Sequence, residues 1–535
     1  MNAWYHHLLL SLLSGLLLTF SWPADGFPFL AFVAFIPLLY VAYSIRNSYT
    51  KRRRMRFFSH AYLTFFVWNL LITYWIFFSS PEGAYVAILF NSLFMAFVWL
   101  LFFYTQQALG KRIGYIGLLV YWIAFEYLHL DWDLSWPWLM LGNVFANRVE
   151  IIQWYEITGS MGGTLWVLLV NIMLFEWIIL WREKNQTIRG AIPPVALLVL
   201  PIMYSLIRYY TYKEEENPVT VVLVQPNIDP WDKFGGIPAT KQFDHIISLA
   251  LSRADSLTDY IITPETSVFS NGVWDHELMQ TPEYNRIKEI TNHWPRIHFI
   301  MGISHLQLFE PGPYVPLTAE KFRNKDLYYD DHNSALQIDN HQDFQIYHKS
   351  KLVPGPEMMP FAEVLKPIQH KLFGKLGGQI GDMGTQKERT VFFNTVKKIN
   401  VAPVICYESI YGGFITQYIR NGASFISVST NDAWWGDSPG YRQLLAYTRL
   451  RAIETRRSIA RSANTGISCF INQRGDVIQP SKFWTTDVIK GTVNLNHTLT
   501  LYTRHGDFVG RISLLVSFLL LFYAFVRSYL NKRNA

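Results

Sequence analysis

Cysteine is nearly absent: the 535 residues hold two, Cys406 and Cys469. No disulfide framework can support the fold, and one Cys406–Cys469 bridge is the most that an oxidising compartment would allow. Charge is scarce as well, at 16% of residues against about 25% in a typical soluble domain. Metal-ligand spacing is missing, because the histidines are scattered and neither HExxH nor CxxC occurs. Gly374 to Gly384 is glycine-rich, but no Lys-Ser/Thr follows to make a phosphate loop, and the stretch reads as a mobile loop. No metal and no cofactor is expected. The net charge of +7 sits beside apolar segments, which points to membrane topology and away from nucleic acid.

Long apolar runs are what the chain has instead. Seven lie before Lys213, near His7–Trp22, Pro28–Ile45, Phe57–Phe78, Ala84–Leu109, Ile113–Leu128, Gly163–Trp181 and Ala191–Tyr210. An eighth runs from about Ile512 to Val526. A membrane helix needs about 17–25 residues, so the first and fifth are short. No Lys or Arg precedes the first, which therefore reads as a retained span and not a cleaved signal. The expected plan is a seven-helix membrane domain over 1–212, an outer domain over 213–510, and a last span with its tail over 511–535.

Cations choose the orientation. Arg46, Lys51, Arg52, Arg53, Arg54 and Arg56 follow the second run; Lys111 and Arg112 follow the fourth; Arg182, Lys184 and Arg189 follow the sixth; Arg527, Lys532 and Arg533 follow the eighth. The alternate loops hold one cation, Arg148. Both termini are expected in the cytoplasm and residues 213–510 outside it. Two acids, Glu126 and Glu176, fall inside apolar helices, where an acid is a functional candidate, although both lie near helix ends and would also reach the interface. Trp136-Pro137-Trp138-Leu139 reads as an interfacial aromatic belt or as a wall for a lipid site.

The outer domain alternates short β-branched runs (Val219–Val224, Tyr260–Ile262, His298–Ile303, Ala335–Ile338, Val401–Ile405, Phe425–Ser429, Ser468–Asn472) with helical stretches such as Thr240–Ala254, Tyr284–Asn292 and Arg442–Thr455. This is an α/β pattern with buried sheets.

Three chemical residues stand at strand ends. Glu265 follows Ile261-Ile262-Thr263-Pro264, Lys349 follows Phe344–His348, and Cys406 ends the run Val401–Ile405 just before an expected helix. A thiol in that position is expected to have a lowered pKa and to act as a nucleophile. It needs a base, which Glu265 supplies if burial raises its pKa, and an oxyanion donor, which Lys349 or the Tyr407 N–H supplies. Taken singly, each residue has a plainer reading: a lone Cys after an apolar strand is commonly a small buried hydrophobe. Lys349 and Lys351 share one strand face, so the pattern alone does not choose between them.

Pro264-Glu265-Thr266, Lys349-Ser350-Lys351-Leu352-Val353-Pro354 and Cys406-Tyr407-Glu408 resemble the three signature blocks of the carbon–nitrogen hydrolase (nitrilase) superfamily. Together with the apolar spans, the chain is similar to its apolipoprotein N-acyltransferase family, over nearly its whole length. Trp136 to Gly142, Val224 to Ile228, Asn431 to Asp437, Arg451 to Arg457 and Tyr502 to Asp507 also carry the likeness. The resemblance implies an α-β-β-α sandwich in the outer domain. It implies Glu265 as base, Lys349 as oxyanion partner and Cys406 as nucleophile, with supporting or substrate-binding roles for Glu357, Tyr407, Glu408 and Trp434. It implies a ping-pong acyltransferase of the bacterial inner membrane, with a phospholipid donor, a Cys406 thioester and a diacylated lipoprotein acceptor. Two places differ from the family pattern: Lys233-Phe234 stands where Lys-Trp is usual, and Gly355-Pro356-Glu357 where Phe-Gly-Glu is usual. Met358, Met359, Phe361 and Leu365 read as a lid or membrane-dipping loop, or as a core patch. A tethered amidase using water, and a transporter or structural membrane protein, are the other classes.

Overall fold

The computed structural model describes residues 3–48, 51–184, 188–233, 235–362 and 382–533. Phe234, Leu365 and the stretch from Gly374 to 381 lie outside these. The chain forms two compact units, Met1–Thr211 with His505–Ala535, and Tyr212–Arg504.

The first unit is helical: Ala3–Ser21, Ile36–Asn47, Arg53–Thr73, Pro81–Leu109, Lys111–Leu128, Ser160–Lys184, Ile192–Thr211 and Phe508–Arg533. Among the described residues, six stretches are long and apolar enough to cross a membrane: Pro28–Asn47, Arg53–Phe78, Pro81–Leu109, Ser160–Trp181, Ile188–Thr211 and Phe508–Asn531. Helices Ala3–Ser21 and Lys111–Leu128, at 19 and 18 residues, complete the positions expected from the sequence.

Polar side chains seal the places where helices break. The span beginning at Pro28 is interrupted before Pro37, which frees backbone groups. Asn171 takes them up, accepting from the Phe35 N–H at 2.9 Å and donating to the Ala31 carbonyl at 2.7 Å. Glu126 does the same for the connection after its own helix. It is buried and accepts from Trp122 Nε1 (2.9 Å), the Leu141 N–H (2.8 Å) and Thr164 Oγ1 (2.6 Å). The acid is thus an anchor for the turn Leu141–Phe145. Glu176 instead pairs with Lys111 (2.7 Å) and Tyr115 (2.7 Å) near a helix start. Trp136-Pro137-Trp138-Leu139 does not form a surface belt. Pro137, Trp138 and Leu139 are buried, with Trp138 4.8 Å from Trp75 and 5.3 Å from Trp136. Gly142 must be glycine there, since a Cβ would lie 1.8 Å from the Ser160 carbonyl oxygen.

The second unit contains two sheets. One has the strand order Asp487–Asn494, Pro218–Gln225, Tyr260–Ile262, His298–Phe309, Tyr328–Ile338, Glu320–Lys321, with Val268–Trp274 beside His298–Phe309 and Gln345–His348 beside Tyr328–Ile338. The other runs Val477–Ile478, Cys469–Ile471, Ile459–Ala463, Phe425–Thr430, Ile399–Ile405, Phe392–Asn394. Helices Ala239–Arg253 and Pro282–His293 cover the first sheet through Phe243, Ile246, Ile247 and Ile287. Helix Gly412–Arg420 packs on the second, beside helix Pro439–Thr455. The sheets face one another: Ser462 Oγ donates to the Val224 carbonyl at 2.7 Å, Ser429 Oγ to the Thr263 carbonyl at 2.8 Å, and the Tyr260 and Phe425 rings lie 5.3 Å apart. This is an α-β-β-α sandwich with an apolar core between helices and the first sheet and a partly polar seam between the sheets.

Candidate active site

The parallel strands deliver their C-terminal ends to one place. Register pairs Leu223 with Ile262 and Ile262 with Ile300 in the first sheet, and Ile405 with Ser429 in the second. Residues just past such ends lie in the crevice where α/β proteins place their chemistry. Glu265 is two residues beyond Thr263, in a turn where Thr266 takes φ 45°. The turn is pressed against Gly302, where a Cβ would lie 2.4 Å from the Pro264 oxygen and 2.6 Å from Glu265 Cα. Lys349 follows the Gln345–His348 strand and is fixed by its N–H to the Asn333 carbonyl at 2.8 Å. Cys406 begins a 3-10 turn, Cys406–Ile410, with φ 46°. A left-handed cysteine is strained by about 1–2 kcal/mol, the kind of outlier that clusters at functional sites.

The side chains converge. Lys349 Nζ donates to Glu265 Oε1 at 2.9 Å and to Glu357 Oε1 at 2.6 Å. Lys349 and Glu265 are buried, and the Glu357 side chain is nearly so. Asn333 Nδ2 donates to the same two oxygens, at 2.7 and 3.2 Å. Glu357 Oε2 accepts from the Val353 N–H at 2.8 Å, closing a turn around Gly355 at φ 96°. Burial lowers the lysine pKa, but Glu265, Glu357 and the Cys406 sulfur outweigh it and hold Lys349 well above its ordinary value. Burial raises the Glu265 carboxyl, yet Lys349 and Asn333 pull it below the carboxylate range. Cys406 goes the other way: burial and the Glu265 carboxylate raise its pKa, against the Lys349 charge. The resting state is a carboxylate, an ammonium and a neutral thiol.

Residues 220–501, more than half of the chain, match the carbon–nitrogen hydrolase family. The chain belongs to that family. Residues 14–173 match a second one, described as the apolipoprotein N-acyltransferase N-terminal domain. The apolipoprotein N-acyltransferase of Chlorobaculum tepidum is 29% identical, over 97% of this chain and 96% of that protein. The one from Geobacter metallireducens is 27% identical, over 93% and 91%. An amidase of the nitrilase superfamily from Nesterenkonia AN1 superposes with a TM-score of 0.36 at 14% identity, over 56% of this chain and 99% of that one. The resemblance carried by the sequence motifs therefore holds for both halves of the chain.

In this member of the carbon–nitrogen hydrolase family two electrostatic expectations are overturned. The thiol was expected to be acidified by a following helix; the element is a five-residue 3-10 turn, and burial dominates. The condition set for Glu265 as base, a pKa raised by burial, is not met: burial does raise it, but the buried lysine 2.9 Å away outweighs it. Cys406 and Cys469 are both free, so the possible bridge is not formed. Among the described residues no group of three or more His, Cys, Asp or Glu is arranged to hold a metal.

Glu408 is fully buried and satisfied: Oε1 accepts from Tyr347 Oη (2.6 Å) and the Ser350 N–H (2.8 Å), Oε2 from the Ile405 N–H (2.9 Å). It ties the residue after Lys349 to the residue before Cys406, and so holds the two sheets in register at the site. Tyr407 is buried with its ring 5.3 Å from Tyr411. Trp434, half-buried, meets the exposed Trp231 edge-on at 5.7 Å. Lys351 projects onto the Tyr411 ring at 5.2 Å, away from Glu265's partners. Met359 is buried while Phe361 is 44% exposed, so the apolar stretch after Pro354 is split between core and surface.

Two contributors, Asn333 and Thr430, had no sequence signal of their own, and a third, Lys233, was marked only by the family's Lys-Trp pattern. Asn333 sits mid-strand among other polar residues. Thr430 follows Ser429, which pairs with Ile405 just before Cys406, and donates to Asp432 Oδ1 at 2.7 Å; Arg461 pins that carboxylate at 2.7 Å. Lys233, buried, reaches the Glu265 carbonyl at 2.8 Å and Thr266 Oγ1 at 2.6 Å.

Proposed function

We propose that this protein is an apolipoprotein N-acyltransferase working by a two-step thioester mechanism, with Glu265 as base, Lys349 as oxyanion partner and Cys406 as nucleophile. The observation that carries it is the buried Glu265–Lys349 pair whose charges act on the Cys406 thiol, with Glu357 bonded to the lysine, in a chain that also carries membrane-length helices. Cys406 Sγ attacks the carbonyl carbon of a phospholipid ester while Glu265 takes the thiol proton. A neutral thiol suits this, since the proton leaves only as the S–C bond forms. Lys349 and the Tyr407 N–H donate to the oxyanion. The ester C–O bond breaks, Glu265 returns the proton to the leaving alkoxide, and a lysophospholipid departs.

The acceptor is the α-amine of a diacylglyceryl-cysteine at a lipoprotein N-terminus. Its pKa of about 8 leaves a neutral fraction that attacks the thioester, and Glu265 takes the proton that the amine loses. The C–S bond breaks and Cys406 regains its proton through Glu265. Glu357 and Asn333 hold Lys349 and Glu265 in place, and Glu408 holds the strand ends. Water must be kept out, because hydrolysis of the thioester would waste the acyl group.

Eight spans place both termini in the cytoplasm and residues 213–510 outside it, in the bacterial inner membrane. The cation-rich loops at Arg46 to Arg56, Lys111 to Arg112 and Arg182 to Arg189, and the tail from Arg527, support this orientation. The domain division is 1–212, 213–510 and 511–535.

Incubation with phospholipid and no acceptor, followed by intact-mass and peptide analysis, should find one acyl chain on Cys406. A diacylated N-terminal peptide should then discharge it as an amide. An adduct elsewhere, no adduct, or discharge to water at the same rate without peptide sinks the mechanism.

A further inference from the structure

Resting on that reading, we infer that Lys233 is a second lysine of the site, a positioning residue that fixes the Glu265 turn and sets the basicity of its carboxylate. The lysine is 2% exposed and ends the short helix Pro230–Lys233. Its ammonium spans the turn, donating to the Glu265 carbonyl oxygen (2.8 Å) and to Thr266 Oγ1 (2.6 Å). The turn needs such a clamp. Thr266 is β-branched and held at φ 45°, a conformation costing about 1–2 kcal/mol that persists only when its surroundings impose it. Gly302 presses on one side of the turn and Lys233 holds the other. The clamp is itself braced, since Gln242 Nε2 donates to the Lys233 carbonyl at 2.8 Å.

The second effect is electrostatic. Glu265 faces cations on two sides: Lys349 Nζ bonded to its carboxylate, and Lys233 Nζ bonded to its backbone. Both favour the ionised form that accepts the thiol proton. Burial in turn pushes the Lys233 pKa down to about 8, with Glu265 opposing. Lys349 cannot take over this role, because two of its three donors serve Glu265 and Glu357 and the third is kept for the oxyanion.

The test is the pH dependence of Cys406 acylation in the full-length protein in detergent micelles, read by mass, for Lys233→Met, Lys233→Arg and Thr266→Val. Lys233→Met should lower the acylation rate constant by about 10–100-fold with phospholipid KM changed less than about threefold. Its acid limb, which reports Glu265, should move to higher pH. Lys233→Arg keeps the charge and should restore the position of that limb. Thr266→Val removes one clamp contact and leaves the charge, so its rate should fall while the limb stays. An unmoved limb in Lys233→Met overturns the inference; if that variant does not fold, Lys233→Gln, without the charge but with a donor, decides in the same way. Absence of acyl-Cys406 in the unsubstituted protein would instead overturn the mechanism on which this rests.

Discussion

Gly302→Ala is a one-methyl test of the site, placed where no side chain acts. The new Cβ would lie 2.4 Å from the Pro264 oxygen and 2.6 Å from both Glu265 Cα and Thr266 N. All three are backbone atoms, so no rotamer change can relieve them. Ordinary contact begins near 3.4 Å, and the Glu265 turn must retreat by about 1 Å. That motion loosens the bonds from Gly302 N–H to the Pro264 carbonyl (3.2 Å) and from Ser267 Oγ to the Gly302 carbonyl (3.4 Å). It also moves Glu265 Oε1 away from Lys349 and Asn333. Overpacking of this kind costs about 1–3 kcal/mol of stability, and a displacement of about 1 Å at a reacting group costs about 100-fold in rate. Single-turnover acylation of Cys406 from a labelled phospholipid, with thermal unfolding measured in parallel, separates the two. Gly312→Ala is the control, since a Cβ there meets nothing within 4 Å. Acylation within threefold of the unsubstituted rate in Gly302→Ala would falsify the claim that this turn sets the position of the base.

Glu408→Leu should leave the Ile405 N–H, Ser350 N–H and Tyr347 hydroxyl without their acceptor, at about 1–3 kcal/mol each; a thermal midpoint within 3 °C or so of the parent would refute the coupling of the two sheets through this carboxylate. Glu126→Leu should lower the thermal midpoint of the protein in detergent by stripping three donors of one acceptor, and unchanged unfolding would show that the Leu141–Phe145 turn does not depend on it. The catalytic unit should also weaken in acid. His348 is half-buried and stacks on His332, ring centroids 4.2 Å apart, and desolvation together with His332 and His305 pushes its pKa down to about 3. The unfolded chain binds the proton near pH 6.5 and the folded chain does not, so stability falls as pH drops from about 6.5 toward 3, by about 2 kcal/mol at pH 5. Unfolding followed from pH 8 to 4 should show this slope, and His348→Gln should flatten it.

Much of the molecule is legible locally. Apolar runs mark the long helices described in the first unit, six of them long and apolar enough to cross a membrane, because composition over about twenty residues is a property of the segment alone. The β-branched runs place the strands Val401–Ile405 and Phe425–Ser429 within two residues of their observed limits. Strand Ile459–Ala463 escaped for an equally physical reason. Its Ile-Ala-Arg-Ser-Ala has little β preference, and its central arginine is tolerable only because Asp432, brought by a neighbouring connection, neutralises it at 2.7 Å. The same holds for Asp487–Asn494, an edge strand recruited by its eight-residue register with Pro218–Gln225.

The sequence by itself determined which chemistry is on offer: Glu265, Lys349 and Cys406 each close an apolar strand run, in the order that the family motifs require. Tertiary structure decided how that chemistry is poised. It separated Lys349, bonded to two carboxylates, from Lys351, turned onto Tyr411, although both share a strand face. It brought Asn333 and Lys233 to Glu265 from 68 and 32 residues away in sequence. It also reversed two expected pKa shifts, leaving a neutral thiol beside a carboxylate. A residue's type and its local period are written in the chain around it; the sign of its pKa shift depends on charges and burial supplied by distant segments, and only folding brings those within a few ångströms.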